Sequence, residues 1–234
     1  EKQKEYVEAL KNEIKLYDLQ NYNVTTIYIG GGTPSYIESK YIVEILKNLK
    51  NKQKAIFLDR DGTINKYVGF LRDIDEFELL DGVADAIQEI NASGYLAIVS
   101  TNQPVIARGE VSFDELEMIH NKMETLLGQK GAYLDAIYFC PHHPHKGYEG
   151  ERPELKFDCE CRKPKPGMLL KAAQEFNIDL AQSWMIGDGE NDIKAGMNAG
   201  CKTALIGESA FGQTLNVQSL KEFVDKYISV KKDC

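Results

Sequence analysis

The stretch AIFLDRDGT, residues 55–63, decides the fold of this chain. Its first four residues, Ala55–Leu58, form a compact apolar run of the length of a buried strand. Asp59 follows at once, and an Asp-Gly turn begins at Asp61. In open α/β sheets, ligands bind beyond the carboxyl ends of the strands. The two carboxylates are therefore the first candidates for a functional site.

The same order of strand, loop and helix continues after this stretch. Periodicity predicts strands at 55–58, 95–99, 134–139, 184–186 and 203–206, and helices at 83–90, 113–127, 168–176 and 192–198. Strands that alternate with helices indicate an α/β fold, with a parallel sheet and helices on both of its faces. His120, on the helix at 113–127, is expected at the protein surface.

Residues 1–52 follow a different pattern and are predicted to form a separate appendage. A helix is expected at 5–17, a short strand at 24–29 and a second helix at 41–49. The lysine-rich stretch 50–54 is a plausible linker. The predicted organisation is thus an N-terminal α-β-α segment, residues 1–52, and a main domain, residues 53–234.

The composition excludes several functions. Lys and Arg number 28 against 36 Asp and Glu, a net charge of -8 that argues against a nucleic-acid surface. An anionic substrate would then need local cations. No apolar run approaches the roughly 20 residues that a membrane span needs, and no signal peptide is visible. With five cysteines and no sign of export, a reducing cytoplasm is the expected location.

The pair Asp59 and Asp61 suits phosphoryl transfer. A carboxylate nucleophile at Asp59 can attack phosphorus in line and form an acyl phosphate that water later cleaves. Asp61 can protonate the leaving oxygen and afterwards deprotonate that water. An Asp-Gly turn after a strand is also common in α/β proteins without any such role. The pair alone is therefore ambiguous.

Complementary groups follow in order along the chain. Thr101 and Asn102 end the second strand and offer a hydroxyl and an amide to phosphoryl oxygens. Arg162 and Lys163 supply cations that offset the negative charge. Asp188 follows the fourth strand, and carboxylates from two strand ends are the hard oxygen ligands that Mg²⁺ prefers. The set predicts a magnesium-dependent phosphatase.

This ordered set resembles the haloacid dehalogenase superfamily over roughly residues 53–206. Asp59 and Asp61 match its first motif, Thr101 its second, Lys163 its third and Asp188 its fourth. The resemblance implies a Rossmann-like domain. No inserted cap is expected, because the span between Thr63 and the helix at 83–90 has room only for a short flap, with Gly69 and Phe70 near the entrance. The resemblance also implies that Mg²⁺ is bound by Asp59, the backbone carbonyl of Asp61, and Asp188. Asp192 would then lie behind these ligands.

A second metal is predicted in the long loop between residues 140 and 167. Cys140 and His142 form one close pair and Cys159 and Cys161 another, and this number of thiolate and imidazole ligands suits a closed tetrahedral Zn²⁺ site. A loop of this length without secondary structure needs something to order it. Four protein ligands leave no open position, so the zinc is expected to be structural. His143 and His145 are competing ligands, and unconnected thiols are the alternative.

The zinc loop resembles that of the D-glycero-D-manno-heptose 1,7-bisphosphate 7-phosphatases, in the runs FCPHHP at 139–144 and CECRKPKPGM at 159–168. That likeness implies a phosphorylated sugar as substrate. Thr101 and Lys163 would stabilise the phosphoryl group. The residues expected to bind substrate are Gly62, Gly69, Asn102, Gln103 and Arg162.

Two departures leave the substrate open. Pro104 stands where a small polar residue is common, and Gly189 stands where the heptose enzymes often carry a basic residue. The histidinol-phosphate phosphatases share the zinc loop and are the nearest alternative. A non-catalytic zinc module that has kept the fold is a third interpretation, disfavoured by the intact Asp59 and Lys163. The sequence does not indicate an oligomeric state.

The N-terminal segment resembles part of the oxygen-independent coproporphyrinogen oxidases, over residues 6–17 and 26–35. The cluster-binding cysteine motif of that family is absent from this sequence. No iron–sulfur chemistry is therefore predicted, and the glycine-rich residues 30–34 are interpreted as the exit of a strand into a loop.

Overall fold

A computed structural model describes residues 2–16, 38–49 and 52–228. The chain forms two compact units, residues 1–52 and 53–234. In the first, helix α1 (Lys2–Lys15) and helix α2 (Ser39–Leu49) contact each other, and an ion pair joins Lys11 to Glu44. The strand predicted at 24–29 and the glycine-rich residues 30–34 lie outside the described residues.

The second unit is built on a six-stranded sheet in which every pairing is parallel. The strand order is β3-β2-β1-β4-β5-β6, which places β1 and β4 side by side at the centre. Their bounds are β1 Lys54–Leu58, β2 Tyr95–Asn102, β3 Ala136–Cys140, β4 Trp184–Gly187, β5 Lys202–Ile206 and β6 Leu215–Val217. The first five strands were predicted, with the third beginning two residues later than expected. The sixth was missed.

Helices cover both faces of this sheet, which confirms the predicted fold class. Successive side chains of a strand point to opposite faces. The helices are α3 Val83–Ala92, α4 Phe113–Gly128, α5 Gly167–Phe176, α6 Glu190–Ala199 and α7 Leu220–Tyr227. In β1, Ile56 and Leu58 pack into one buried cluster with α3, α4 and α7, whereas Ala55 and Phe57 pack into another with α5. Helix α7, like β6, was not predicted.

The expectation that His120 lies at the surface is wrong. His120 lies in the middle of α4 and is only 7% exposed. Helical neighbours three and four residues apart share one face. His120 therefore lies on the inward face with Leu116 and Met123, which are both buried. Its ring packs against Phe139 at a centroid distance of 5.7 Å.

None of the described helices is both long and apolar enough to span a membrane.

Candidate active site and cysteine–histidine cluster

The sheet order brings the predicted carboxylates together. Leu58 of β1 is paired with Ile186 of β4, so Asp59 and Asp188 emerge from neighbouring strands at the same edge. The strand order reverses here, because β2 lies on one side of β1 and β4 lies on the other. Ligands usually bind at such a switch point in α/β sheets. Carboxylate oxygens of Asp59, Asp188 and Asp192 lie within 4.8 Å of one another. Asp59 and Asp188 are therefore close enough to share one cation.

A single buried lysine lies against this acidic group. The Nζ atom of Lys163 donates to Asp59 Oδ1 at 2.7 Å, to Asp192 Oδ1 at 2.5 Å and to the carbonyl oxygen of Ser100 at 2.7 Å. Its backbone is fixed by Asn102, whose side-chain amide donates to the Lys163 carbonyl and accepts from the Lys163 N–H, both at 3.0 Å. The amide of Asn102 thus holds the lysine in place.

The negative charge in this group exceeds the positive charge. Burial raises the pKa of Asp59 to about 6, and the nearby Asp192 carboxylate adds to the effect. Desolvation and then the Asp59 charge raise the pKa of Asp188, also to about 6, although part of that residue stays open to solvent. Three carboxylates against the one ammonium of Lys163 form a donor set that a divalent cation would stabilise.

Asp61 is held by three side chains. The Nη2 atom of Arg60 donates to both of its oxygens, at 3.0 and 2.9 Å. Asn65 donates to Oδ1 at 3.0 Å, and Gln103 donates to Oδ2 at 2.9 Å. Arg60 is fully buried and also donates to Gln103 Oε1 at 3.1 Å. Sequence reasoning passed over Arg60, because nothing in a strand-end turn indicates that an arginine points inward.

His120 forms the inner wall of this network. Its Nε2 lies 3.4 Å from Nη1 of Arg60, and because a guanidinium can only donate, the imidazole must accept. Burial, and next the charge of Arg60, lower the pKa of His120 to about 4. The ring is therefore neutral in the folded protein at physiological pH.

This depressed pKa predicts an acid-dependent loss of stability. The pKa of a histidine in the unfolded chain is about 6.5. Below that pH the unfolded chain binds a proton at His120 that the folded protein does not bind. We expect the contribution of His120 to the free energy of unfolding to fall by roughly 3 kcal/mol as the pH drops from about 6.5 to about 4, and then to level off. The raised pKa values of Asp59 and Asp188 act in the opposite direction over this range, so the contribution of His120 is measured as a difference between variants. Urea unfolding at a series of pH values measures this.

The substitution His120→Gln isolates the contribution, since a glutamine carbonyl can accept from Arg60 without titrating. Relative to the wild type, its free energy of unfolding should rise by roughly 3 kcal/mol as the pH drops from about 6.5 to about 4. His145→Gln is the matched control, because His145 is exposed. The interpretation is wrong if the free energies of unfolding of His120→Gln and the wild type change in parallel between about pH 6.5 and about pH 4.

Gly62, expected to bind substrate, has a packing requirement of its own. Its φ is +80°, a conformation that favours glycine. A Cβ atom there would lie 2.0 Å from Oδ2 of Asp188. The turn after β1 therefore needs a glycine at this position to lie this close to the Asp188 side chain.

A cavity of about 240 Å³ opens above these groups. Asp59, Asp61, Thr101, Lys163 and Asp188 line it, and so do other predicted site residues, namely Gly69, Asn102, Gln103 and Arg162. Its outer wall includes Tyr67 and Phe70, from the segment after β1. The residues predicted from the strand ends thus border one space.

The predicted cysteine and histidine ligands also converge. Potential ligand atoms of Cys140, His142, Cys159 and Cys161 lie within 4.8 Å of one another. Sulfur–sulfur distances are 3.4 Å for Cys140–Cys159 and 3.2 Å for Cys159–Cys161. His142 Nδ1 lies 3.3 Å from the sulfur of Cys161. Tetrahedral zinc with Zn–S bonds of about 2.3 Å would place sulfurs about 3.8 Å apart, so a small expansion accommodates the ion.

Ionisation and hydrogen bonding agree with a metal site. The hydrogen bond between Cys140 and Cys161 lowers the pKa of Cys161 and raises the pKa of Cys140, so Cys161 is the thiol of this pair that ionises more readily. The competing histidine, His143, is engaged elsewhere: its Nδ1 lies 3.2 Å from the carbonyl oxygen of His145, and its Nε2 lies 3.4 Å from Arg108. His142 is the histidine that joins the three sulfurs, and a Cys/His cluster of this kind is compatible with a bound metal.

Comparison with known proteins supplies a family. The haloacid dehalogenase-like hydrolase family matches residues 2–200. The D-glycero-beta-D-manno-heptose-1,7-bisphosphate 7-phosphatase of Pasteurella multocida (strain Pm70) is 47% identical over 154 residues, which are 66% of this chain and 81% of that relative. The enzyme of the same name from Escherichia coli (strain K12) is 44% identical over 152 residues, 65% of this chain and 78% of that relative.

Solved structures agree with the sequence relatives. The D,D-heptose 1,7-bisphosphate phosphatase from B. bronchiseptica, crystallised with magnesium and phosphate, superposes with a TM-score of 0.64 at 33% identity. The superposition covers 74% of this chain and 96% of that one. A putative phosphatase of the same superfamily from Mesorhizobium loti gives a TM-score of 0.67 at 32% identity, covering 75% and 85% of the two chains.

Proposed function

The chain belongs to the haloacid dehalogenase-like hydrolases, and from this membership we propose that it is a magnesium-dependent phosphomonoesterase. Its proposed substrate is D-glycero-D-manno-heptose 1,7-bisphosphate, from which it removes the 7-phosphate. One observation supports this most: Asp59, Asp188 and Lys163 meet at the carboxyl edge of the sheet and face the same cavity. A nucleophile, a metal site and a cation for the phosphoryl group are then together.

Asp59 is the proposed nucleophile. Its Oδ1 accepts from Lys163, which leaves Oδ2 to form a bond to phosphorus. The bond from phosphorus to the ester oxygen breaks, and Asp61 delivers a proton to that oxygen. Asp61 then takes a proton from water, and the resulting hydroxide attacks the phosphorus of the aspartyl phosphate. Phosphate leaves and the Asp59 carboxylate is restored.

Thr101 and Lys163 are proposed to hold the phosphoryl group. Thr101 Oγ1 accepts a hydrogen bond from Gln103 Nε2 at 3.0 Å, so its own O–H is directed to another acceptor. A phosphoryl oxygen in the cavity is the acceptor we propose. The Lys163 ammonium, already beside Asp59, offsets charge that develops on the same oxygens.

The proposed Mg²⁺ ligands are Asp59, the backbone carbonyl of Asp61, and Asp188. When bound, Mg²⁺ would neutralise charge on the phosphoryl oxygens and orient them for in-line attack. Zinc is the proposed occupant of the cluster formed by Cys140, His142, Cys159 and Cys161. Its role would be structural, because four protein ligands leave no open position.

A phosphorylated sugar agrees with the size of the cavity and with the substrate in the relatives' names. The cavity of about 240 Å³ suits a small metabolite better than a peptide or nucleic-acid chain. Arg162 lines it, with one guanidinium nitrogen donating to the His142 carbonyl at 3.1 Å, and it is the proposed recognition cation. Gly69, Asn102 and Gln103 line the same space and complete the proposed substrate-binding set. We also propose that the protein is located in the cytoplasm.

Substrate preference tests the proposal directly. With Mg²⁺, kcat/KM for the heptose bisphosphate should exceed that for histidinol phosphate by at least about 100-fold, or about 2.7 kcal/mol of transition-state stabilisation. Exchange into a buffer without Mg²⁺ should abolish turnover, and added Mg²⁺ should restore it. A phosphate-release assay on both substrates measures this. A preference for histidinol phosphate would overturn the sugar assignment. That outcome would agree with Gly189, which carries no basic side chain to contact a second phosphate.

A further inference from the structure

Arg108 lies between two aromatic rings outside the catalytic group. Its guanidinium carbon is 4.1 Å from the ring centre of Phe70 and 4.6 Å from that of Tyr148. Both distances are well inside the roughly 6 Å limit for cation–π attraction. Phe70 belongs to the segment after β1 and Tyr148 to the long loop that carries the cysteines. One side chain therefore joins two distant parts of the chain.

The guanidinium nitrogens of Arg108 make few polar contacts with the residues that the structure describes. Nη2 lies 3.4 Å from Nε2 of His143, which is the accepting nitrogen because Nδ1 faces a carbonyl oxygen. Nε is buried and has no hydrogen-bond partner among the residues that the structure describes. A guanidinium with an unpaired buried nitrogen depends on its flat faces for stabilisation. Stacking is thus the main contact of this side chain.

The loop that carries Arg108 is fixed to the cysteine loop. The backbone N–H of Arg152 donates to the carbonyl oxygen of Ala107 at 3.0 Å. Gly109, with a φ of +74°, approaches so closely that a Cβ atom there would lie 1.8 Å from the carbonyl oxygen of Gly150. Arg108 is therefore anchored on the side of Tyr148. On its other side Phe70 is partly exposed, and the next residue, Leu71, is buried in the core cluster that contains Ile56 and Leu58.

Residues 66–72, here called the flap, form the outer wall of the cavity through Tyr67, Gly69 and Phe70. Its other tie to the Arg108 loop is an ion pair of Arg72 Nε with Glu110 Oε2 at 2.7 Å, with Arg72 half exposed. Exposed pairs of this kind contribute little. Phe70 itself is 39% exposed. The Arg108 stack is then the stronger of these two ties.

We propose that Arg108 is a positioning residue that holds the flap against the cysteine loop and so sets the cavity wall that meets the substrate beyond its reacting phosphate. The proposal rests on the proposed phosphatase function for its kinetic readout. Arg108 does not line the cavity; it acts through Phe70, which does. Loss of the stack should loosen substrate binding more than it slows the chemical step.

The test compares Arg108→Met with Arg152→Met in the full chain loaded with zinc and Mg²⁺. Arg152 is a matched control: it also lies over an aromatic ring, Phe113 at 5.5 Å, but that ring is not part of the cavity wall. In Arg108→Met, KM for the heptose bisphosphate should rise about tenfold, equivalent to about 1.4 kcal/mol. The fall in kcat/KM should be smaller for a small aryl phosphate.

Hydrogen exchange gives a readout that does not depend on the substrate. Amides of residues 66–72 should exchange at least about fivefold faster in Arg108→Met, and zinc content should be unchanged. Arg108→Lys keeps the charge without the flat faces and should restore only part of the wild-type KM. If Arg108→Met does not fold, Phe70→Leu removes the stack from its other side and should loosen the flap equally.

The proposal would be overturned by unchanged flap exchange in Arg108→Met, by equal effects in Arg152→Met, or by full recovery in Arg108→Lys. Loss of zinc from Arg108→Met would do so too, because the residue would then act by folding the cysteine loop. If the wild type does not hydrolyse the heptose bisphosphate, the proposed function fails. Flap exchange and aryl phosphate turnover would still decide the role of Arg108.

Discussion

Replacing Asp59 with asparagine is expected to lower kcat by at least about 10⁴-fold on any phosphate ester that the enzyme hydrolyses. An amide oxygen is too weak a nucleophile to form the covalent intermediate. The substitution also removes one negative charge from the group that would bind Mg²⁺. The measurement is a steady-state assay with an excess of Mg²⁺, complemented by rapid quenching to detect phosphorylated enzyme, which should form only in the wild type.

Loss of folding must be separated from loss of the nucleophile. Asp59 ionises against burial and two neighbouring carboxylates, so a neutral amide in its place removes repulsion. The unfolding midpoint measured without divalent metal should therefore stay within about 3 °C of the wild type or rise. Asp75→Asn, at an exposed carboxylate, should keep full activity. Phosphorylated enzyme in Asp59→Asn would show that another residue is the nucleophile.

The parts of the site that could be predicted are those that strand ends determine. Asp59 and Asp188 each follow a short apolar strand, and parallel strands bring such positions to one edge. The cysteines were predictable because two close pairs of soft ligands in one loop have few other uses. In both cases the residue type and its local spacing carry the information, and the fold has only to bring two segments together.

The direction of a side chain was not predictable. Asn102 and Gln103 were expected to bind substrate, and both line the cavity, but their amides bond to Lys163 and Asp61. A strand end gives the position of a residue and not its partner. Arg60 and His120 meet across 60 residues, and helical periodicity does not indicate which polar residue of a helix faces inward.

Very short strands could not be predicted from periodicity either. Strand β6, Leu215–Val217, has only three residues.

Cys161→Ser is the second substitution expected to have a large effect. Cys161 is the best cysteine to replace, because it is only partly buried, whereas Cys140 is fully buried at the end of β3. Serine is a poor zinc ligand, so the variant should lose the metal. The effect should reach catalysis because Lys163 follows two residues later, and its ammonium must stay beside Asp59. In the proposed site, zinc would order the segment that places Lys163 beside Asp59.

We expect about one zinc per chain in the wild type and much less than one in Cys161→Ser, measured by metal analysis after dialysis. The unfolding midpoint should fall by at least about 5 °C and kcat/KM by at least about 100-fold, with no recovery in excess Mg²⁺. Cys201→Ser, at a cysteine outside the cluster, should keep zinc and activity. A variant that lost zinc but kept both stability and kcat/KM would show that other contacts order the loop, such as the hydrogen bond from Arg162 to the His142 carbonyl. A variant that kept zinc would show that the ligand set is wrong.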